Sequence, residues 1–278
     1  MSTDPADLRD LALTVARSAA GLVRQARAAG VSVADTKTSA TDVVTEVDRA
    51  SEEHIRKLLL EARPDDSILG EEGDDHVGTS SVLWVVDPID GTVNFLYGLP
   101  QYAISIAAEV DGQVVAGAVL DVVTGIEYAA ALGAGATKDG VPLRVRPPAE
   151  VSHRLVLTGF SYRSDLRAAQ AEQVARLLPR VRDIRRMGSS ALDICHVAEG
   201  AADAYVEEGS QRWDWSAAGL IATESGARFE LLPSTVAARL GGPGADGRPT
   251  VVVCTPDAGW DDFVALLADC GFVSARTE

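Results

Sequence analysis

Asp87 and Asp90 lie three residues apart at the end of a short apolar run, residues 82–86. A buried strand that enters a tight turn there would project both carboxylates from one rigid edge. Because two acids so close repel each other, a cation between them is favourable, and magnesium binds hard oxygens, usually one or two carboxylates plus substrate phosphate. Gly91 and Thr92 follow directly, and their backbone amides at a helix start would suit an anion. This segment therefore predicts a metal ion and a phosphate held side by side.

Two further acids stand where predicted elements begin or end, which is where site residues are usually mounted. Glu71 follows a short predicted strand, and Asp214 begins a predicted helix with a small-residue tail. Asp48 lies in the first turns of another helix, where an acid is usually a favourable partner of the helix dipole. Taken singly, each acid also fits a structural role, as a turn former or as a helix N-cap worth about 1 kcal/mol. Their occurrence together favours a shared acidic site.

The elements that must position these acids fall into two predicted halves. Residues 1–146 contain two helices joined by a polar loop over residues 31–42, and then an antiparallel meander with a hairpin turn at Asp111-Gly112. Residues 147–278 alternate strands with helices and are predicted to form an α/β half, with a Gly-rich surface loop at residues 240–248.

The predicted element bounds follow from apolar periodicity and from turn residues. The predicted strands are residues 67–69, 82–86, 102–110, 113–120, 125–130, 154–157, 183–187, 204–207 and 251–254. The predicted helices run from Pro5 to Gly30, from about Thr45 to before Pro64, and over residues 166–178, 188–199, 214–225 and 257–267.

The composition excludes several classes of protein. The chain has 278 residues, 46% of them hydrophobic, and its 41 acidic and 25 basic residues give a formal net charge of −16. Without a dense basic run such a chain would repel nucleic acid, so we expect no nucleic-acid partner. We expect no signal peptide, because the first residues contain neither a basic segment nor an apolar one, and no apolar run approaches the ~20 residues of a membrane span. Cys195, Cys254 and Cys270 fit neither a disulfide framework nor a zinc pattern, which predicts reduced thiols and a cytoplasmic location.

Three motifs resemble those of the inositol monophosphatase family. They are Gly-Glu-Glu at residues 70–72, Asp-Pro-Ile-Asp-Gly-Thr-Val-Asn-Phe at residues 87–95, and Trp-Asp with its small-residue tail at residues 213–219. The resemblance covers nearly the whole chain. It implies a layered αβαβα sandwich, the fold shared with fructose-1,6-bisphosphatase, and it implies a homodimer. Members of this family are magnesium-dependent, lithium-sensitive phosphomonoesterases.

The resemblance also implies metal ligands. Glu71, Asp87 and the backbone carbonyl of Ile89 would bind a first magnesium ion. Asp87, Asp90 and Asp214 would bind a second one. Glu71 would also help to hold a weaker third ion.

The remaining implied roles concern water and substrate. Thr92, paired with Asp48, would orient the attacking water together with Glu71, and Lys37 would lie on a loop near the site. The implied substrate-binding residues are Asp90, Gly91, Thr92, Ser189, Ser190, Glu207 and Asp214. The implied substrate is a small phosphorylated polyol or sugar.

The leading prediction is a phosphatase that acts on inositol monophosphate, and several alternatives stay open. Phosphatases for histidinol phosphate, fructose 1,6-bisphosphate and 3′-phosphoadenosine 5′-phosphate share the acidic core. Residues 209–212, where the family varies, include Arg212. This cation could face a second anionic group of the substrate or could be solvated, and we favour the solvated interpretation. A non-catalytic interaction protein or a metal-binding module of the same fold is the other class. The presence of all four metal carboxylates and Thr92 favours the enzyme.

Overall fold

A computed structural model describes residues 1–30, 33–36, 43–240 and 250–274. The helices are α1 (Pro5–Ala29), α2 (Glu46–Ala62), α3 (Thr92–Tyr97), α4 (Ser164–Leu177), α5 (Ser190–Ala198), α6 (Arg212–Glu224), α7 (Thr235–Leu240) and α8 (Trp260–Cys270). The strands of the first half are β1 (Val33–Thr36), β2 (Val43–Thr45), β3 (Ser67–Gly70), β4 (Val82–Asp90), β5 (Ala103–Val110), β6 (Gln113–Asp121), β7 (Glu127–Ala131), β8 (Gly135–Lys138) and β9 (Val141–Pro142). Those of the second half are β10 (Leu155–Thr158), β11 (Asp183–Arg185), β12 (Ala204–Glu208), β13 (Ala227–Pro233) and β14 (Thr250–Pro256).

A seven-stranded sheet has the order β3-β4-β5-β6-β7-β8-β9. Strands β5 to β7 form the predicted antiparallel meander, and β4, β8 and β9 extend it. Strand β3 pairs in parallel with β4. Consecutive strands pair because short turns such as Asp111-Gly112, where both residues have positive φ, return the chain directly. The parallel pairing of β3 and β4 brings Glu71, which follows β3, to the same edge of the sheet as Asp87 and Asp90. The predicted strand over residues 82–86 continues to Asp90, so these two acids lie among its last residues and not after it.

A five-stranded sheet has the order β11-β10-β12-β14-β13. Strand β10 is parallel to both of its neighbours, as the predicted α/β alternation requires, whereas β14 is antiparallel to β12 and β13. Strand β13 was not predicted. The alternation of Arg228 and Glu230 with Phe229 and Leu231 is the period-two signal that would have revealed it.

Helices complete five layers. Helices α1 and α2 cover one face of the seven-stranded sheet, α5 and α6 lie between the two sheets, and α4 and α8 cover the outer face of the five-stranded sheet. Helix α6 packs on both sheets because Gly117 of β6 and Gly219 of α6 leave room for close approach. A Cβ at Gly117 would lie 2.7 Å from the Ala217 carbonyl oxygen, and one at Gly219 would lie 3.0 Å from the Phe229 ring. The predicted αβαβα sandwich is confirmed.

The loop predicted over residues 31–42 is wrong in part. Residues 33–36 form β1, which pairs antiparallel with β2. Their polar sequence concealed the strand because backbone pairing, and not apolar periodicity, defines it. Lys37 and residues 241–248 of the Gly-rich segment lie outside the described residues. In the described part of the chain, no helix combines the length and apolar character needed to cross a membrane.

Candidate active site

A cavity of about 690 Å³ opens where β4 ends and where α3, α5 and α6 begin. It collects almost all of the predicted site residues from five separate segments of the chain. Those that line it are Glu71, Asp87, Ile89, Asp90, Gly91, Thr92, Ser189, Ser190, Glu207 and Asp214. Asp48 is fully buried and contacts the cavity residue Thr92.

The end of β4 is held rigidly. The backbone N–H of Ile89 donates to Asp87 Oδ1 at 3.0 Å, and Ser51 Oγ of α2 donates to the Pro88 carbonyl at 3.1 Å. The next residue, Gly91, has a φ of 98°, and a Cβ there would lie 2.9 Å from the Gln101 carbonyl oxygen. Only glycine fits this turn without strain. The turn therefore fixes where Asp87 points and where α3 starts.

Asp90 caps the first turn of α5. Ser189 Oγ donates to Asp90 Oδ2, the Ala191 N–H donates to the same oxygen at 2.7 Å, and the Ser190 N–H donates to Oδ1 at 3.2 Å. Burial raises the pKa of Asp90 to about 6, and the negative charge of Glu207 acts in the same direction, against these hydrogen bonds. The carboxylate thus joins the sequence motif of β4 to the start of a helix about one hundred residues later.

Thr92 and Asp48 form the predicted pair. Thr92 Oγ1 lies 3.0 Å from Asp48 Oδ1 and 3.2 Å from the Ile89 carbonyl oxygen, and its single proton is shared between these two acceptors. Asp48 is itself held by a capping box at the start of α2, where the Thr45 N–H donates to Asp48 Oδ2 at 2.8 Å. Because its proton points at these two acceptors, the Thr92 hydroxyl keeps lone pairs that can accept a hydrogen bond from a water molecule.

Glu52 positions the turn that carries Glu71, and it was not predicted. Its buried carboxylate accepts the backbone N–H groups of Glu72 at 2.8 Å and of Gly73 at 2.9 Å, and Arg56 Nε donates to it at 2.8 Å. Glu52 lies on the apolar face of α2, three residues before Ile55. An acid on an otherwise buried face is a signal that sequence analysis could have used.

Asp214 lies in the first turn of α6, where the Gln211 N–H donates to its Oδ2 at 2.6 Å. Burial raises its pKa well above the ordinary value, and the charges of Asp90 and Glu71 add to this effect. The interpretation of Arg212 as solvated is wrong. Its guanidinium pairs with the buried Glu109 of β5 at 2.5 Å, because α6 packs directly against that strand.

On the substrate side, Glu207 of β12 faces the cavity. Ser190 Oγ donates to Glu207 Oε2 at 3.0 Å, and the Tyr205 hydroxyl donates to the same oxygen. Burial raises the pKa of Glu207. Phe160 and Tyr162, from the segment after β10, add apolar surface to the cavity wall.

The donor set fits magnesium. Carboxylate oxygens and a backbone carbonyl are the hard ligands that this ion takes, with waters and substrate phosphate completing its shell. The mutual repulsion of Asp90, Glu71 and Asp214 is relieved by a cation. Over the described ranges of the chain, no three His, Cys, Asp or Glu side chains are already arranged to hold an ion. Asp90 and Asp214 direct oxygens at hydrogen-bond donors of α5 and α6 instead.

A five-layered αβαβα sandwich whose carboxylates converge on one cavity is the architecture of the sugar-phosphatase class. The chain belongs to the inositol monophosphatase family, whose sequence model matches residues 4–261. The "Inositol-1-monophosphatase SuhB" of Mycobacterium tuberculosis is 46% identical to it over 282 residues, which cover 95% of this chain and 94% of that protein.

Two further comparisons add to this relationship. The solved structure of Mycobacterium tuberculosis SuhB superposes with a TM-score of 0.82 at 42% identity, covering 98% of this chain and 100% of that one. The "Nus factor SuhB" of Pasteurella multocida is 36% identical over 219 residues, which cover 78% of this chain and 82% of that protein. The family and the relatives named inositol-1-monophosphatase support a phosphatase, whereas relatives such as the Pasteurella multocida protein carry a different kind of name.

Proposed function

We propose that the protein is a magnesium-dependent phosphomonoesterase that hydrolyses inositol monophosphate to inositol and phosphate. The observation that carries this proposal is the convergence of Glu71, Asp87, Asp90 and Asp214 on the cavity that also contains Gly91 and Thr92. Phosphate-monoester hydrolysis is among the slowest uncatalysed reactions, so a site for it needs concentrated positive charge and a positioned water molecule.

Glu71, Asp87, the Ile89 carbonyl, Asp90 and Asp214 would hold two magnesium ions, and Glu71 would help to hold a weaker third one. When bound, magnesium supplies a water of lowered pKa and positive charge for the phosphoryl and leaving oxygens. The acids of this chain provide the matching negative charge, which is why a protein with an excess of acids can still accept a phosphate anion.

The protein groups around the water and the phosphate have separate tasks. As the attacking water gives a proton to Thr92 Oγ1, the hydroxyl proton of Thr92 passes to the Asp48 carboxylate. Glu71 orients that water. The backbone amides of Gly91 and Thr92 donate to the phosphate oxygens. No side chain needs to become phosphorylated.

The leaving group lies towards α5 and β12 in this proposal. Glu207, which accepts hydrogen bonds from Ser190 and Tyr205, also accepts hydrogen bonds from the hydroxyl groups of the leaving group. Asp90, Ser189 and Asp214 border the same region.

Other features come from the family and belong to the proposal alone. They are a homodimer, a cytoplasmic location, a division of the chain near residue 146, and inhibition by lithium. Lithium would inhibit by replacing one magnesium ion while product phosphate is retained. Initial rates in lithium chloride, compared with equal sodium chloride, test this point, and identical curves would contradict it.

The decisive experiment measures phosphate release from a panel of esters in the presence of Mg²⁺ and after chelation. The panel contains inositol 1-phosphate, histidinol phosphate, fructose 1,6-bisphosphate and 3′-phosphoadenosine 5′-phosphate. We expect the highest kcat/KM for inositol 1-phosphate and no turnover after chelation. Full activity in the chelated protein would refute the metal assignment, and a higher kcat/KM for another ester would replace the substrate assignment.

A second candidate is an interaction role like that of the relatives named Nus factor SuhB, favoured by 36% identity over 78% of this chain. It does not require the acids to converge on a cavity. Absence of turnover on every ester of the panel, in folded and magnesium-loaded protein, would favour it.

A further inference from the structure

The cavity wall formed by α5 contains a buried carboxyl group that the proposed reaction does not use. Asp193 lies one turn after Ser189, whose carbonyl accepts the Asp193 N–H at 3.0 Å. The Asp193 side chain is only 1% exposed, yet it lines the cavity. Its Oδ1 has no hydrogen-bond partner among the residues that the structure describes.

The hydroxyl and backbone donors at the start of α5 and on β12 are already engaged by other acids. Three donors at the start of α5 serve Asp90, while Ser190 Oγ and the Tyr205 hydroxyl serve Glu207. Burial, together with the charges of Glu207 and Asp90, raises the pKa of Asp193 well above its ordinary value. The guanidinium charge of Arg186, which also lines the cavity, acts on the pKa of Asp193 in the opposite direction to burial. A neutral carboxyl group can donate one hydrogen bond and accept another.

Ser210 is a second unpartnered group on the same cavity. It lies just before α6, its side chain is 5% exposed, and its Oγ has no hydrogen-bond partner within the described segments. Buried polar groups without partners are rare in folded proteins and destabilise them. Two such groups, on different elements and facing one cavity, indicate a ligand with several hydroxyl groups.

We propose that Asp193 is a specificity-determining residue that hydrogen-bonds a hydroxyl group of a polyhydroxylated leaving group, with Ser210 contacting a second hydroxyl. This inference rests on the proposed function, because it needs a phosphate ester in the cavity. A site built to hydrogen-bond a substrate hydroxyl discriminates strongly against an ester that lacks it, since its buried polar groups are then left unpaired.

The first test compares two esters in Asp193→Leu and Asp193→Asn. Inositol 1-phosphate has a polyhydroxylated leaving group, whereas p-nitrophenyl phosphate has a flat aromatic one without further hydroxyls. The ratio of the two kcat/KM values should fall at least about tenfold in Asp193→Leu. It should fall less in Asp193→Asn, because the amide keeps a donor and an acceptor. A ratio equal to that of the wild type in Asp193→Leu would overturn the proposal.

The second test is thermal unfolding, which does not depend on turnover. Without ligand, Asp193→Leu should raise the unfolding midpoint, because it removes an unpartnered buried polar group. Added myo-inositol with Mg²⁺ and phosphate should raise the midpoint of the wild type more than that of Asp193→Leu. An equal ligand-induced rise in both proteins would contradict the inference.

Asp203 provides the matched control, because it is a buried aspartate with partners. Its Oδ2 accepts the Leu155 N–H at 2.7 Å, its Oδ1 lies 3.6 Å from Arg146, and it does not line this cavity. Asp203→Asn should lower the midpoint and leave the kcat/KM ratio as in the wild type. If Asp193→Leu lowered the midpoint in the same way, Asp193 would have a structural role only.

The two proposals fail separately. If the wild type turns over neither ester, the phosphatase proposal fails. If myo-inositol still stabilises the wild type more than Asp193→Leu in that case, polyol recognition by Asp193 stands. If myo-inositol stabilises neither the wild type nor Asp193→Leu, and neither ester is hydrolysed, both proposals are wrong.

Discussion

The Asp90 side chain has two roles, one in capping a helix and one in the proposed metal site. Its carboxylate accepts hydrogen bonds from Ser189, Ser190 and Ala191, and it is also a proposed metal ligand. A metal ion must therefore compete with, or share, an oxygen that caps α5. If Asp90 is a metal ligand as proposed, metal binding and the position of α5 are coupled through this residue.

Asp90→Asn should fold, because asparagine keeps the size of the side chain and can still accept from the first turn of α5. Turnover should fall by more than about 100-fold, since loss of a ligand should cost at least as much as loss of a residue that supports one. Circular dichroism and phosphate release measured on the same preparation check this. Activity close to that of the wild type would exclude Asp90 as a ligand.

The stabilising effect of Mg²⁺ should increase with pH. The pKa of Asp90 is raised from 3.8 to about 6, so the folded metal-free protein retains a proton that the unfolded chain has lost between these values. The stability that this group contributes is therefore present below about pH 3.8 and is lost as the pH rises through about 6. Magnesium binds the charged form, so its effect should be small at about pH 5 and large at about pH 7.5.

Differential scanning fluorimetry with and without Mg²⁺ measures this difference. Asp90→Asn is the control, because its side chain does not titrate. A midpoint shift that is the same at both pH values in the wild type would contradict the assignment.

Thr92→Val should lower kcat by about 100-fold or more, with a smaller effect on KM. Valine keeps the shape but removes the hydroxyl that accepts the proton of water, and general-base assistance contributes about 10²–10⁴ in rate. Ser51→Ala is a matched control, because it removes a buried hydroxyl that bonds the same turn at Pro88. Steady-state kinetics measure the two values of kcat. An equal fall in both variants would mean that Thr92 only supports the turn.

At the scale of elements, the site depends on where helices start. The chain enters α3 through Gly91, α5 through Ser189 and α6 through Gln211, and each of these starts borders the cavity. Helix α2 supports the site from behind, through Asp48 to Thr92 and through Glu52 to the turn after β3. Local signals indicated the starts of α3, at Gly91 and Thr92, and of α5, at Ser189. Helix α6 was predicted to begin at Asp214, but it begins at Arg212 with Gln211 as its N-cap, so Asp214 is the third residue of the helix.

Glu52→Gln should reduce magnesium affinity and kcat/KM by about 10–100-fold, because Glu52 orients the turn that carries Glu71. It should also lower the free energy of unfolding by about 1–3 kcal/mol, since a buried acceptor of two backbone N–H groups is weakened. Magnesium titrations of activity and denaturant unfolding measure the two effects. Glu53→Gln, an exposed neighbour on the same helix, should change neither quantity.

The contacts of Glu52 could not be predicted in the same way as the helix starts. Its partners, the amides of Glu72 and Gly73, lie twenty residues away along the chain, and nothing in the local pattern indicates them. The same limit applies to Arg212, whose neighbour Glu109 becomes close only after α6 packs on β5. Motifs therefore predicted which residues form the site, whereas supporting contacts required the fold.

At the scale of the whole molecule, the position of α6 between the sheets decides where Asp214 lies. The small residues of this helix, from Ser216 to Gly219, allow both sheets to approach it closely. Sequence analysis identified the small-residue tail, but not that the helix is a central layer, because a helix buried on all sides has no amphipathic pattern to indicate its partners.

Gly117→Ala should displace α6 from β6, since the new Cβ would lie 2.7 Å from the Ala217 carbonyl oxygen. We expect a loss of about 1–3 kcal/mol in the free energy of unfolding, as for other overpacked cores, together with reduced kcat/KM. Gly21→Ala on α1 has no heavy atom within 4 Å and should instead stabilise by about 0.5–1 kcal/mol. Equal stability in both variants, measured by urea unfolding, would show that α6 is not held at Gly117.

The three cysteines give the layers an internal reporter. Cys195 of α5 and Cys254 of β14 are fully buried between the two sheets, and Cys270 at the end of α8 is fully buried in the outermost layer. A thiol-reactive probe can reach none of them until a layer separates from its neighbour. The order in which the three sites become labelled under mild denaturant would therefore reveal whether the outer helices detach before the central layer opens.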